Sequence, residues 1–133
     1  MNTRNLMIAT SAYLAGGGIA ALFAPAELLG ALGAPASEPL PVLVQVLGAL
    51  YFAFGIVNWM AKDNVIGGIY SRPLALGNWG HFFAGGISLA KHAAAHGFRA
   101  PLTIVLVVYA TFALCFGYLA FGRGAVRTAG SGG

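Results

Sequence analysis

The chain is short of charge. Only 8% of its 133 residues are Asp, Glu, Lys or Arg, where an ordinary soluble domain carries about 25%. That is too little charged surface to cover a water-soluble fold of this size, so lipid is the solvent to consider. Cysteine is nearly absent too: the single Cys115 excludes an intramolecular disulfide and any thiolate metal cluster within one chain. Flanked by apolar residues, it reads as packing. The acids number three, Glu27, Glu38 and Asp63, and none lies inside an apolar block, which argues against the carboxylate relays of many coupled pumps. No Walker loop, dinucleotide-binding glycine pattern, nucleophile elbow or HExxH motif occurs.

What is present is apolar. Hydrophobic residues make up 59% of the chain and gather in four blocks, at about 6–23, 40–60, 74–94 and 102–121. Each approaches the roughly 20 residues that a helix needs to cross a hydrocarbon core about 30 Å thick. Backbone polar groups in lipid must be satisfied internally, which leaves helices or a closed barrel. Continuous apolar runs without strict alternation select helices. The expectation is an all-α integral membrane four-helix bundle, one domain over residues 1–124, with a disordered tail at 125–133. The first block has the Arg4 and ALFA of a signal peptide, but Pro25 follows directly and a new helical start comes next, so it is read as a retained span.

The connections fix an orientation. Pro25, Pro35, Pro39 and Pro41 bracket the first, which carries Glu27 and Glu38 and no cation. The second, AKDNVIGGIYSRP, holds Lys62, Asp63 and Arg72, with Gly67-Gly68 as a turn. Asp63 is expected to pair with Lys62 or Arg72. With the N-terminus inside, Arg4, Lys62, Arg72, Arg123 and Arg127 face the cytoplasm and Lys91 and Arg99 face out. Five against two satisfies the positive-inside rule and puts both termini in the cytoplasm. The net charge of +4 is thereby explained by block ends and lipid headgroups. No basic run interleaved with aromatics points to nucleic acid.

Polar residues inside the blocks are few and patterned. On the third, Asn78, His81, Gly85, Ser88 and His92 recur at spacings of three, four, three and four, as one helix face does. A seam of amide and imidazole groups turned to lipid would cost several kcal/mol per unpaired group, so it is expected to face the bundle interior. His81 lies about 12 Å in from Pro73 at 1.5 Å per residue, and an ionisable group at that depth is a functional candidate. Its plainer role is to bond Asn78, Gln45 or Tyr118 and specify packing. On the second block Gln45, Gly48, Phe52, Gly55 and Trp59 share a face, with Asn58 one position off it. On the fourth, Thr111, Cys115, Tyr118 and Gly122 do so. The first carries a small-residue ridge, Ala12, Gly16, Ala20 and Ala24, suited to close helix approach.

His92 and His96 stand four apart at the end of the third block, a spacing able to clasp one metal ion. Glu27 and Glu38, on the same side by this topology, could complete such a site, while Lys91 opposes a dication. A solvated helix end is the plainer reading. Trp59, Trp79, Tyr70 and Phe98 fall near expected interfaces, where aromatic belts anchor spans. An internal echo is also present. PVLVQVLGALYFA from Pro41 and PLTIVLVVYATFA from Pro101 reach Phe-Ala at the same offset, and AGGGI at Ala15 parallels AGGI at Ala84. A duplicated hairpin would produce that pattern.

FAPAELLGALG followed by VLGALYFAFGIVNWMAK resembles the small DoxX-like four-helix membrane proteins of bacteria, over roughly residues 20–62. The resemblance implies a four-helix bundle in the bacterial inner membrane, in a group some of whose members associate with quinone-linked or sulfur-oxidising complexes. No active-site motif of that group maps onto residues here. The leading expectation is a non-catalytic binding or partner subunit, homo-oligomeric or part of a larger membrane complex. One alternative is a transporter or channel for a small solute, lined by Asn78, His81, Ser88 and His92 with Gln45, Asn58 and Tyr118. Another is a redox subunit associated with haem or quinone, with His81 or His92 as axial ligand. No motif demands a cofactor.

Overall fold

A computed structural model describes residues 3–35, 37–63 and 71–122. The tail, the Gly67-Gly68 turn, Tyr70, Arg123 and Arg127 lie outside the described residues. Among those described, all regular structure is helical: α1 (Thr3–Phe23), α2 (Pro25–Ala31), α3 (Leu40–Met60), α4 (Ser71–His96) and α5 (Ala100–Gly117), with a π-helical turn at Tyr118–Gly122 continuing α5. The four expected spans correspond to α1, α3, α4 and α5 with its π turn. The fifth helix, α2, is one that the apolar blocks did not reveal. Three helices are long and apolar enough to cross a membrane, Thr3–Phe23, Leu40–Met60 and Ala100–Gly122. The missing one is α4, which is long enough but diluted by Gly, Asn, Ser, His and Lys.

The chain divides into two compact units, Met1–Asn64 and Val65–Gly133. In the first, α1 and α3 form an antiparallel pair joined through α2. Pro25 starts α2 at a position where a missing N–H costs nothing. Gly33, at φ +74°, ends it. Gly33 N–H donates to the Gly30 carbonyl at 3.0 Å and Ala34 N–H to the Leu29 carbonyl at 2.9 Å, the paired bonds of a Schellman cap.

Along α1 and α3 the backbones touch. A methyl built on Gly18 would lie 2.5 Å from the Phe52 backbone nitrogen, and one on Gly55 2.7 Å from that of Ala15. One on Gly48 would lie 2.7 Å from the Ala21 Cβ. Ser11 Oγ donates to the Gly55 carbonyl at 2.8 Å. The close-approach face of α1 therefore runs through Ser11, Ala15, Gly18 and Ala21. The ridge expected for this role is displaced from that face: Ala12, Gly16 and Ala20 are exposed, and nothing lies within 4 Å of a methyl on Gly16. Both stripes are small, so composition alone did not separate them; the facing glycines of α3 did.

On α3 only Gly48, Gly55 and Asn58 are buried. Val42, Leu43, Val46, Leu47, Leu50, Ile56, Val57 and Met60 are all exposed. This reverses a soluble amphipathic helix, which turns its large apolar residues inward.

In the second unit, α4 and α5 are antiparallel and joined by residues 97–99. Gly97, at φ +89°, stops α4 and donates to the Ala93 carbonyl at 2.8 Å, a left-handed cap. Arg99 is extended and Pro101 opens α5. Here aromatic side chains fill holes left by glycine. Tyr109 lies over Gly85, where a methyl would meet its Cε1 at 2.5 Å, and Trp79 lies 3.2 Å from a methyl on Gly117. Trp79 also stacks on Phe83 (centroids 4.9 Å) and meets the Phe121 ring edge-on at 5.0 Å. The echoed segments occupy corresponding helices of the two units: AGGGI in α1 and AGGI in α4, the proline-led segments in α3 and α5.

Candidate functional site

The polar residues of α4 are arranged around an aromatic cluster. Phe82 is fully buried, with ring centroids 5.2 Å from Tyr109, 4.8 Å from Phe112 and 6.2 Å from Phe116. Beside it, the half-buried His81 ring sits 5.5 Å from that of Tyr109. Tyr109 Oη and His81 Nε2 are 3.3 Å apart, hydrogen-bonded through whichever proton the tautomer supplies. The tilted geometry exists because Gly85, one turn on from His81, gives the tyrosine ring room to lie flat against α4.

Tyr109 is thus a partner of His81 on the facing helix, one that the polar stripe did not name. Tyr118 is exposed and packs its ring over Gly122. Gln45, also exposed, donates from Nε2 to the Leu22 carbonyl at 3.1 Å, satisfying a group at the end of α1. One signal for Tyr109 was present in the sequence: folding the chain at Gly97 brings it near Gly85.

The seam on α4 is buried over part of its length only. Asn78 is fully buried and His81 half-buried, while Ser88 and His92 are exposed. The buried line runs instead through Asn78, Phe82 and Ala93, rotated by about one residue from the polar one toward its C-terminal end. Spacing placed the polar groups on one face; packing of Phe82 chose which face turns inward.

Several polar groups in these helices are satisfied by their own backbone. Asn78 Nδ2 donates to the Leu74 carbonyl at 3.0 Å and Asn58 Nδ2 to that of Phe54 at 2.9 Å. Ser88 Oγ donates to the Ala84 carbonyl at 3.0 Å and Thr111 Oγ1 to that of Val107 at 2.8 Å. Such i−4 bonds remove much of the penalty of a polar side chain in lipid. Thr10 Oγ1, in the first unit, is buried with no hydrogen-bond partner.

At the Thr3 end of α1, Arg4 Nε donates to Asp63 Oδ1 at 2.8 Å, and Lys62 Nζ lies 3.4 Å from Asp63 Oδ2. Lys62 Nζ also sits 4.3 Å above the Trp59 ring. The Arg4 hydrogen bond holds the Asp63 carboxyl below its usual range, with Lys62 adding to the effect. The expected pairing of Asp63 with Lys62 is present, and Arg4, concealed by sequence distance, adds a closer counter-ion.

His92 and His96 are exposed, their rings stacked at 4.4 Å with 20° between planes. No group of three or more His, Cys, Asp or Glu gathers for a metal ion among the described residues. Comparison with protein-family models, curated proteins and solved structures finds no match.

Proposed function

We propose that this protein is a small multi-pass membrane subunit of the bacterial inner membrane, with four crossing helices and both termini cytoplasmic. It would act by binding partners through its helix faces and would carry no catalytic chemistry of its own. The observation that carries this reading is α3. Its small and polar residues Gly48, Gly55 and Asn58 are buried, and its large apolar ones are exposed. Only acyl chains or other apolar helices can cover such a face without cost.

The hairpin of α4 and α5 supports a fourth crossing. The two helices pack antiparallel from Trp79 against Phe121 to Gly86 against Tyr109. Their connection spans three residues, so a crossing α5 carries α4 with it. At 26 residues, α4 is about 39 Å long, ample for the core. The self-satisfied side chains of α4 and α5 favour a packing role over a solute path, because groups lining a water-filled path have solvent as a partner. The cytoplasmic termini rest on the lysine and arginine distribution, and the bacterial inner membrane on the DoxX-like resemblance.

The test is extraction in a mild detergent or polymer nanodisc, followed by mass measurement of the intact particle. A stable homo-oligomer or a reproducible complex with other membrane proteins is expected. A strictly monomeric particle without partners would count decisively against the subunit reading.

A further inference from the structure

We propose that His92 and His96 form a two-histidine binding site for a late first-row divalent metal ion, of the Cu²⁺, Ni²⁺ and Zn²⁺ class, at the C-terminal end of α4. Both side chains are exposed on α4, and the site does not depend on the subunit reading above.

The geometry begins with the helix. Residues four apart are advanced about 6 Å along the axis and nearly eclipsed around it. The two imidazoles use that relation: their rings lie side by side, 4.4 Å between centroids and 20° from parallel. A turn of the exposed His92 side chain about its own torsions brings its lone pair toward the ion that His96 Nε2 would hold, without moving the backbone.

The chemistry of His96 is already settled by a neighbour. Its Nδ1 lies 3.2 Å from the His92 carbonyl oxygen. A carbonyl only accepts, so this bond selects the tautomer with the proton on Nδ1 and leaves the lone pair on Nε2. A backbone carbonyl bonded to the far nitrogen is how metal-ligating histidines are oriented and made more basic. Here that support is in place on the same helix turn.

The surroundings admit a cation. The site occupies the last turn before Gly97, where the helix dipole favours positive charge. Lys91 is adjacent in sequence and exposed, on a different face of the helix, where solvent screens it. With two protein ligands the remaining positions go to water, so the site is open and exchangeable. Imidazole suits copper, nickel and zinc, and copper binds tightest in the general order of these ions.

The experiment uses the full-length protein in detergent and Cu²⁺ as the probe, followed by calorimetry and electron paramagnetic resonance. One ion per chain is expected, with nitrogen hyperfine structure in the spectrum. His92→Ala or His96→Ala should each weaken binding on the order of a hundredfold, because the second ligand acts at high effective concentration. Both side chains are exposed, so these variants should keep their elution profile and circular dichroism. Restoring a histidine at the wrong spacing, with Ala94→His added to His96→Ala, should fail to recover affinity. His81→Phe should leave it unchanged. Equal affinity in His92→Ala and the native chain, or recovery by Ala94→His, would overturn the site. So would several loosely held ions that persist in the double alanine variant.

Discussion

Glycines 16 and 18 are two residues apart on α1 and opposite in meaning. A methyl on Gly18 would strike the Phe52 backbone, whereas one on Gly16 meets nothing. Gly18→Ala should destabilise the protein by about 1–3 kcal/mol, since a helix backbone must move. Gly16→Ala should be neutral or stabilising by up to about 1 kcal/mol, as alanine is the better helix former. Reversible unfolding of the two variants in mixed micelles compares them directly. A cost at Gly16 equal to that at Gly18 would mean that the expected ridge, Ala12 to Ala24, is a contact surface after all.

Tyr109 offers a second comparison at this scale. Tyr109→Phe removes the hydroxyl bonded to His81 and keeps the ring that fills Gly85. The expected loss is about 0.5–1.5 kcal/mol, at the lower end if bonds in lipid follow their measured average. The His81 ring resonances should shift with it. Gly85→Ala should cost more, because a methyl there displaces the buried Tyr109 ring and with it the same hydrogen bond. If Gly85→Ala leaves the His81 resonances untouched, the arrangement of the two rings described above is wrong.

Between elements, the α1–α3 pair is held at one end by charge. Asp63 is ionised more readily in the folded chain than in the unfolded one, chiefly through the Arg4 hydrogen bond. A lowered carboxyl contributes stability that is fully present above its unfolded value, near 3.8, and is lost as pH falls through the folded value. Unfolding measured from pH 7 downward should show the native chain and Asp63→Asn separated above about pH 4. The two should converge in more acidic solution. Both partners are exposed, so added salt should narrow the gap as well. A separation independent of pH would assign the effect of Asp63→Asn to something other than this ion pair.

The elements themselves were legible because solvent imposes their length. A helix that must cross about 30 Å of hydrocarbon leaves an apolar run that any reader can find, and the 40–60 block coincides with α3. α2 was not legible in that way. It is seven residues long, too short for a periodic signal, and only the helical start after Pro25 announced it. The π-helical turn at Tyr118–Gly122 was invisible too, because one extra residue per turn leaves no mark on composition.

For the whole molecule, the number of crossings fixes the sides. If α4 crosses, Phe98 lies outside and both termini inside; if it does not, Phe98 is inside and the C-terminus outside. Phe98 is exposed on a three-residue connection, so Phe98→Cys in a Cys115→Ala background reports its side cleanly. Membrane-impermeant maleimide should label it in intact cells. Labelling only after permeabilisation would reduce the crossings to three.

Some of the candidate site could be read from the chain and some could not. Asn78 and His81 announced themselves as polar groups in an apolar block, since each costs free energy in lipid unless something answers it. What answers His81 was hidden. Tyr109 and Phe82 look like ordinary members of apolar runs until α5 lies against α4, and Arg4 and Asp63 stand 59 residues apart.

Solvent and helix length were therefore written in the linear chain: few charges, long apolar runs, and a proline or glycine near most helix ends are local properties that need no partner to be recognised. Which face of each helix turns inward was decided only by tertiary packing. Ala12-Gly16-Ala20 and Ala15-Gly18-Ala21 are equivalent as composition, as are the lines through His81 and through Phe82. The choice between them depends on the shape of the helix opposite, and that shape exists only after the chain has folded back on itself.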